Sequence, residues 1–260
     1  MSNEHILYLK KLKKNKRIVL FFQILIFFLF IIIWQLLASF NIINTFIFSS
    51  PIKVIKTIIK LYYKYNLLSH IGITIYEVIV SFLIATILGI IVATILWFNK
   101  TIHKIIEPYL TILNSLPKVA LGPIIIIWFK AGIKSIIIMS LLISLVLTII
   151  NIYEGFSSID KNKIKLMKSL GSNKKDMYFK LILPGNANTI INVLKINISM
   201  SLIGVIMGEF LVSKSGIGYL IVYGSQVFNL NLVITGIIIL CIVSAIMYYL
   251  VSLLEVKLKK

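Results

Sequence analysis

The sequence predicts an all-α integral membrane protein with about six transmembrane helices. Three observations predict it. The 260 residues are 59% hydrophobic, with a mean hydropathy of +1.02, well above a soluble domain. The apolar residues gather in runs of about 20 or more, the length at which a helix crosses a bilayer. Charged residues make up only 13% of the chain, and the lysines fall mostly between the runs.

Residues 1–17 form a basic tail with Lys10, Lys11, Lys13, Lys14, Lys16 and Arg17. An apolar run over 18–40 follows. It is too long for a signal-peptide core and lacks a clean small-x-small cleavage site, so it is expected to be the first span. Residues 41–70 are expected to be an outer segment. Within it, Ser49-Ser50-Pro51 opens an amphipathic helix with Ile52, Ile55, Ile58 and Ile59 on one side and Lys53, Lys56 and Lys60 on the other. Such a helix lies along the interface rather than crossing it. The main domain covers 71–255, with spans expected at 71–98, 108–129, 133–153, 189–212 and 230–254.

Six spans place both termini on one side, and the lysines choose which. With the N-terminus inside, the inner segments hold eighteen Lys and Arg, and the outer segments hold seven lysines. Lys118 and Lys195 remain within spans. This excess predicts an N-in, C-in topology. The net charge of +19 therefore reports topology, and no nucleic-acid partner is implied.

The same count puts residues 160–184 in the cytoplasm. That loop carries seven lysines, yet it is patterned for structure. Asp160 is placed to cap a short helix whose Ile164, Met167 and Leu170 recur every three residues, which predicts one shared apolar face. Gly171 can take the left-handed conformation that ends it. Asn173 caps a second helix, with Asp176 facing the amides of its first turn. Leu181-Ile182-Leu183-Pro184 closes the unit. Two short helices about a glycine, between membrane spans, make a docking device.

The chemistry points away from catalysis. There is no G-x-x-x-x-G-K-[ST] to cradle nucleotide phosphates and no H-E-x-x-H. His5, His70 and His103 are dispersed, and no serine sits in a nucleophile elbow. No catalytic residue, metal site or bound cofactor is expected. The lone Cys241, in an apolar run, is expected to be a packed thiol.

Polar residues within the spans carry the remaining information. Glu77 and Glu209 lie near the outer span ends, where each either reaches the interface or lines a path. Asn114 and Ser115 precede Leu116-Pro117, which is either a plain kink or a loosened helix whose carbonyls line a cavity. Ser140, Ser144, Thr148 and Asn151 recur every three or four residues along the fourth span, as helix packing or as a pore lining. Asn197, Ser201 and Gly204 suit a buried helix beside another subunit or a passage, and Gly204 with Gly208 permits close helix approach. The candidate path residues are Asn114, Ser115, Ser144, Asn197, Ser201 and Glu209.

Gly171, nine residues, then Leu181-Ile182-Leu183-Pro184 resembles the cytoplasmic loop of ABC importer permeases, which reads E-A-A, three residues, Gly, nine residues, I-x-L-P. Lys165, Leu166 and Met167 stand where E-A-A would be. Ser49-Ser50-Pro51 with Val54, Leu116-Pro117, Pro123, Trp128-Phe129 and Gly216-Ile217-Gly218-Tyr219 after Glu209 resemble, in order, the nitrate/sulfonate/taurine-like group. The resemblance covers about residues 49–255. It implies a type I importer permease fold in a prokaryotic plasma membrane and an ATPase-coupling surface at Ile164, Lys165, Met167, Leu170, Gly171, Leu181, Leu183 and Pro184. It also implies partners: ATPase subunits that use ATP and Mg, an extracytoplasmic solute-binding protein, and a second permease copy as a homodimer. The alternative is a secondary transporter driven by an ion gradient. It needs paired intramembrane carboxylates or inverted repeats. The eight acidic residues give no pair on one helix face deep in a span, and no repeat is visible.

Overall fold

The computed structural model describes residues 3–258, and every regular element among them is helical. They divide into two units. One holds the described residues up to Tyr65 together with Gly224–Thr235; the other holds Asn66–Tyr223 and the residues from Gly236 on.

In the first unit, helix α1 (Asn3–Ser39) runs without interruption through the basic segment into the apolar run. A short α2 (Thr45–Phe48) is capped by Asn44, and α3 (Pro51–Lys64) by Ser50, with Pro51 at its first turn. Helix α3 has three faces. Val54 and Leu61 are buried; Ile52, Ile55, Ile59 and Tyr62 are exposed; Lys56, Lys60 and Lys64 form a third exposed stripe. At 100° per residue the apolar and lysine stripes are adjacent, the pattern suited to the border between lipid and water.

In the second unit, three long helices form the core: α4 (Leu67–Phe98), α7 (Ile133–Ser157) and α11 (Ala187–Val212). Short α12 (Ile217–Gln226) and long α13 (Leu230–Leu258) follow, each divided between the two units, α12 at Gly224 and α13 at Gly236. Among the described residues, five helices are long and apolar enough to cross a membrane, or six if one bent pair is a single span.

That pair is where the structure departs most from a simple span over 108–129. Helix α5 (Lys100–Ser115) ends at Leu116, and a 3-10 turn over Lys118–Leu121 leads into α6 (Gly122–Phe129), bent by 87°. Pro117 is the cause: a residue before proline is pushed out of the helical region, and Leu116 is extended at φ −63°, ψ 139°. Carbonyls near the break are taken within the chain: Lys118 Nζ donates to Asn114 O at 3.1 Å and Ser115 Oγ to Ile112 O at 2.9 Å.

Small residues set the spacing of the core. Gly204 lies against the Ser140 backbone, Gly208 against Ile136, and Gly89 against Thr148. Ser140 Oγ donates across to Ser201 O at 2.9 Å, while Ser144 and Thr148 return their hydroxyls to their own helix. The serine and threonine stripe of α7 is thus a packing face, as expected where lipid supplies no hydrophobic drive between helices.

A side chain at Gly204 would meet the Ser140 Cα, so Gly204→Val should force α7 and α11 apart at ~1–3 kcal/mol. Thermal unfolding of the detergent-purified chain reads this as a lower Tm. Gly72→Ala, in open space, should leave Tm unchanged or raise it.

Candidate functional site

The polar loop folds as its caps dictate. Asp160 accepts from Asn162 N–H at 2.8 Å and opens α8 (Lys161–Ser169). The helix ends on Gly171 at φ +74°, with Gly171 N–H donating to Lys168 O and Ser172 N–H to Met167 O, both at 3.0 Å. This pair is the Schellman motif, and it satisfies carbonyls the helix end leaves open. Asn173 caps α9 (Lys174–Met177), accepting from Asp176 N–H at 2.8 Å. A hydrogen bond from Lys180 at 2.8 Å, with the charge of that ammonium, holds the Asp176 carboxyl below its usual range. The chain then makes one π turn, Tyr178–Ile182, before α10 (Leu183–Gly185) restarts at Pro184.

Tyr178 fastens this loop to the core. It is buried, with ring centroids 5.6 Å from Trp97, 5.4 Å from Phe98 and 5.6 Å from Phe156. Its hydroxyl lies 2.7 Å from Thr94 Oγ1. Thr94 already donates to Ile90 O, so the phenol is the donor. Met177 and Ile182 pack in the same cluster with Ala93, Ile152, Phe156 and Val193. Three apolar helices and the loop therefore share one core.

The loop residues divide between that core and the surface. Ile164, Leu181 and Leu183 pack against the shared core, and Met167 is half-buried. Leu166 and Leu170 are 60% and 71% exposed. The expected single face of Ile164, Met167 and Leu170 is thus split. A spacing of three falls about 60° short of a full turn at each step, so Leu170 ends up about 120° from Ile164. Lys165 is exposed, and Gly171 has open space around it. Pro184 is exposed at the start of α10.

Comparison with known proteins places this architecture. Residues 85–260 match the family model described as "binding-protein-dependent transport system inner membrane component". The chain belongs to this family. It is 27% identical to a putative aliphatic sulfonates transport permease protein of Bacillus subtilis, over 88% of this chain and 83% of that one. It is 25% identical to a formylaminopyrimidine transport permease protein of Halalkalibacterium halodurans (75% and 77% covered). The taurine transport system permease protein of Escherichia coli is 20% identical (82% and 79%). Among solved structures, the MetNI methionine ABC transporter in an inward-facing form matches with a TM-score of 0.65 at 16% identity, covering 75% of this chain and 96% of that one. The fold is that of a type I importer permease, and the chain is a multi-pass plasma-membrane protein.

At the end of the permease core remote from the loop lies a second polar cluster. Glu209 is 1% exposed and accepts from Thr74 Oγ1 at 2.6 Å and from Gly218 N–H at 2.5 Å. Thr74 Oγ1 in turn accepts from Ile217 N–H at 2.9 Å, and His70 Nδ1 from Gly216 N–H at 3.0 Å. The glycines are needed here: Gly216 has φ +104°, and a Cβ at Gly216 or Gly218 would run into the Glu209 side chain. Glu209 thus binds the turn after α11 to α4. Glu77, 0% exposed, lies beside Glu209, and neither of its oxygens finds a donor among the described residues. Two intramembrane carboxyls do meet, from two different helices, where one-helix spacing showed none.

The permease does not bring the six path candidates together. Ser144, Asn197, Ser201 and Glu209 are buried between helices, with Asn197 Nδ2 donating to Thr86 Oγ1 at 2.7 Å. Asn114 and Ser115 are exposed at the end of α5, beside the break. Cys241, expected to be packed, is exposed along an apolar cavity of about 510 Å³ between α11 and α13. Close to the loop, a smaller cavity of about 150 Å³ is bordered by Glu107, Glu154, and His103 stacked on Tyr153 at 3.8 Å. Sequence reasoning missed Tyr178 and the Glu77–Glu209 juxtaposition. A tyrosine and tryptophan set at the ends of apolar runs was the available signal for the first.

Two outcomes follow. Glu209→Gln replaces one acceptor oxygen by a donor facing another donor, so it should lower stability by ~1–3 kcal/mol, read as a fall in Tm. Tyr178→Phe and Thr94→Val should each destabilise and couple in a double-mutant cycle by ~1 kcal/mol, since they remove the same bond.

Proposed function

We propose that this permease forms the translocation path of an ATP-driven importer for a small solute, sulfonate- or taurine-like or a related small metabolite, delivered by an extracytoplasmic binding protein. ATP with Mg is hydrolysed on separate ATPase chains, and two copies of the permease pair around the path. The loop 160–184 faces the cytoplasm and takes up the ATPase motion. The observation that carries this reading is the shared core at Tyr178 in a chain of this family. A displacement of the loop cannot be absorbed locally, because α4, α7 and α11 close on the same side chains. Closely packed interiors switch between discrete arrangements rather than deforming, so motion of the loop becomes motion of the spans. Named solutes of the relatives supply the substrate class; nothing in the loop chooses among them.

The ion-gradient alternative gains a pair of carboxyls in Glu77 and Glu209. Glu209, however, is already engaged by Thr74 and Gly218, and membership of the family favours the ATP-driven reading.

Gly171→Pro tests the coupling role. Proline cannot take φ +74° and lacks the N–H that Gly171 donates to Lys168. Membrane insertion should be unchanged while ATP-dependent uptake into vesicles falls to background. Uptake at the wild-type rate would overturn the coupling role, and uptake by an ion gradient without ATP would establish the alternative.

A further inference from the structure

Glu77 is a buried carboxyl without a donor. It stands on α4 at 0% exposure, and neither oxygen finds a donor among the described residues. Ser81 Oγ, one turn further along α4, is equally buried and unpartnered, so it does not serve as that donor. Glu209 is the neighbour within hydrogen-bonding reach. Its own oxygens are both supplied, Oε1 by the Thr74 hydroxyl and Oε2 by Gly218 N–H. That is the pattern of an ionised acceptor. Two ionised carboxyls cannot share a buried site without a compensating charge. Among the described residues none is packed there. His70 on α4 offers Nδ1 as an acceptor to Gly216 N–H, and Tyr219 on α12 stacks on its ring. Lys130 before α7, Lys134 in its first turn and Lys214 in the turn after α11 are exposed.

We propose that Glu77 is a proton-binding site: it holds one proton as the neutral acid and donates it to Glu209, so that the two carboxyls carry one charge between them and fasten α4 to α11. The proton answers both observations. It neutralises one carboxyl, and it supplies the donor that the pair lacks. A metal cation carries the same kind of charge but needs more oxygens. Only the two Glu77 oxygens and Ser81 Oγ are uncommitted, because Glu209 and Thr74 are already engaged by their donors. Hard cations take about six or more oxygen ligands. When the proton leaves, the O–H bond of Glu77 breaks and the proton passes to a base in solvent. Two charges then face one another with no donor between them, and the contact of α4 with α11 weakens.

Infrared spectroscopy of the full chain, purified in mild detergent, reads the proton directly. At neutral pH the spectrum should contain the carbonyl band of a protonated carboxylic acid, shifted in heavy water and absent from Glu77→Gln. Other described acids do not supply a buried carboxyl: Glu107, Glu154 and Asp160 are exposed, and Asp176 pairs with Lys180. The wild-type spectrum stands whether or not the variant folds. Stability gives a second reading. The folded chain holds one proton that the unfolded chain releases, so stability falls as pH rises. From about pH 7 to about pH 9, the folding equilibrium in mixed detergent micelles should move toward the unfolded chain about ten-fold more per pH unit in the wild type than in Glu77→Gln. In that variant an amide N–H donates in place of the proton. A wild-type spectrum without the acid band, a band that survives in Glu77→Gln, or equal pH slopes in the two chains overturns the proposal. So does stabilisation of the wild type by sodium over choline at fixed ionic strength, which would put a metal cation where the proton is placed.

Discussion

The packing of Tyr178 is the constraint on which the rest of this architecture depends. A polar loop between two membrane spans has no intrinsic reason to hold a fixed position. Here the π turn over Tyr178–Ile182 sends a phenol ring between Trp97, Phe98 and Phe156, and its hydroxyl reaches Thr94. Residues four apart share one face of a helical turn. Tyr178 and Ile182 both enter the core, while Phe179 between them stays exposed. Three spans and the loop consequently share one packed core.

The core to which the loop is fastened is held by two different means. Along its middle, small residues bring the backbones close, with Gly204 and Gly208 of α11 against Ser140 and Ile136 of α7. At the end remote from the loop, one carboxylate organises a turn. Glu209 gathers Thr74 and Gly218, while Thr74 and His70 hold the neighbouring amides. Buried acceptors of this kind stabilise only when their donors are in place, so the turn and the two helices depend on one another. Ser144, Asn197 and Ser201 belong to the same interior, which is why they present no surface to a passage within a single chain.

Much of this was legible locally. The caps at Asp160 and Asn173 and the positive φ at Gly171 follow from residue type, because each concerns a backbone group within three residues. The break at Leu116-Pro117 was visible as a proline, but its 87° bend was not, since proline forbids a conformation without choosing the next one. The loop face was misjudged because a three-residue spacing looks periodic while rotating steadily around the helix. Leu170, at the end of that pattern, and Leu166, off it, are the residues left exposed.

The sequence by itself determined that this chain is helical and membrane-embedded, and where its polar loop begins, turns and ends. Those properties depend on hydropathy over about 20 residues and on hydrogen bonds between near neighbours, both of which are written along the chain. Only the tertiary structure decided which polar residues meet. Glu77 finds Glu209, Asn197 finds Thr86, and Tyr178 finds Thr94, each across separations of 84 residues or more. Such pairings depend on how helices are rotated and offset against one another. That is set by side-chain packing between elements, and no spacing within a single element encodes it.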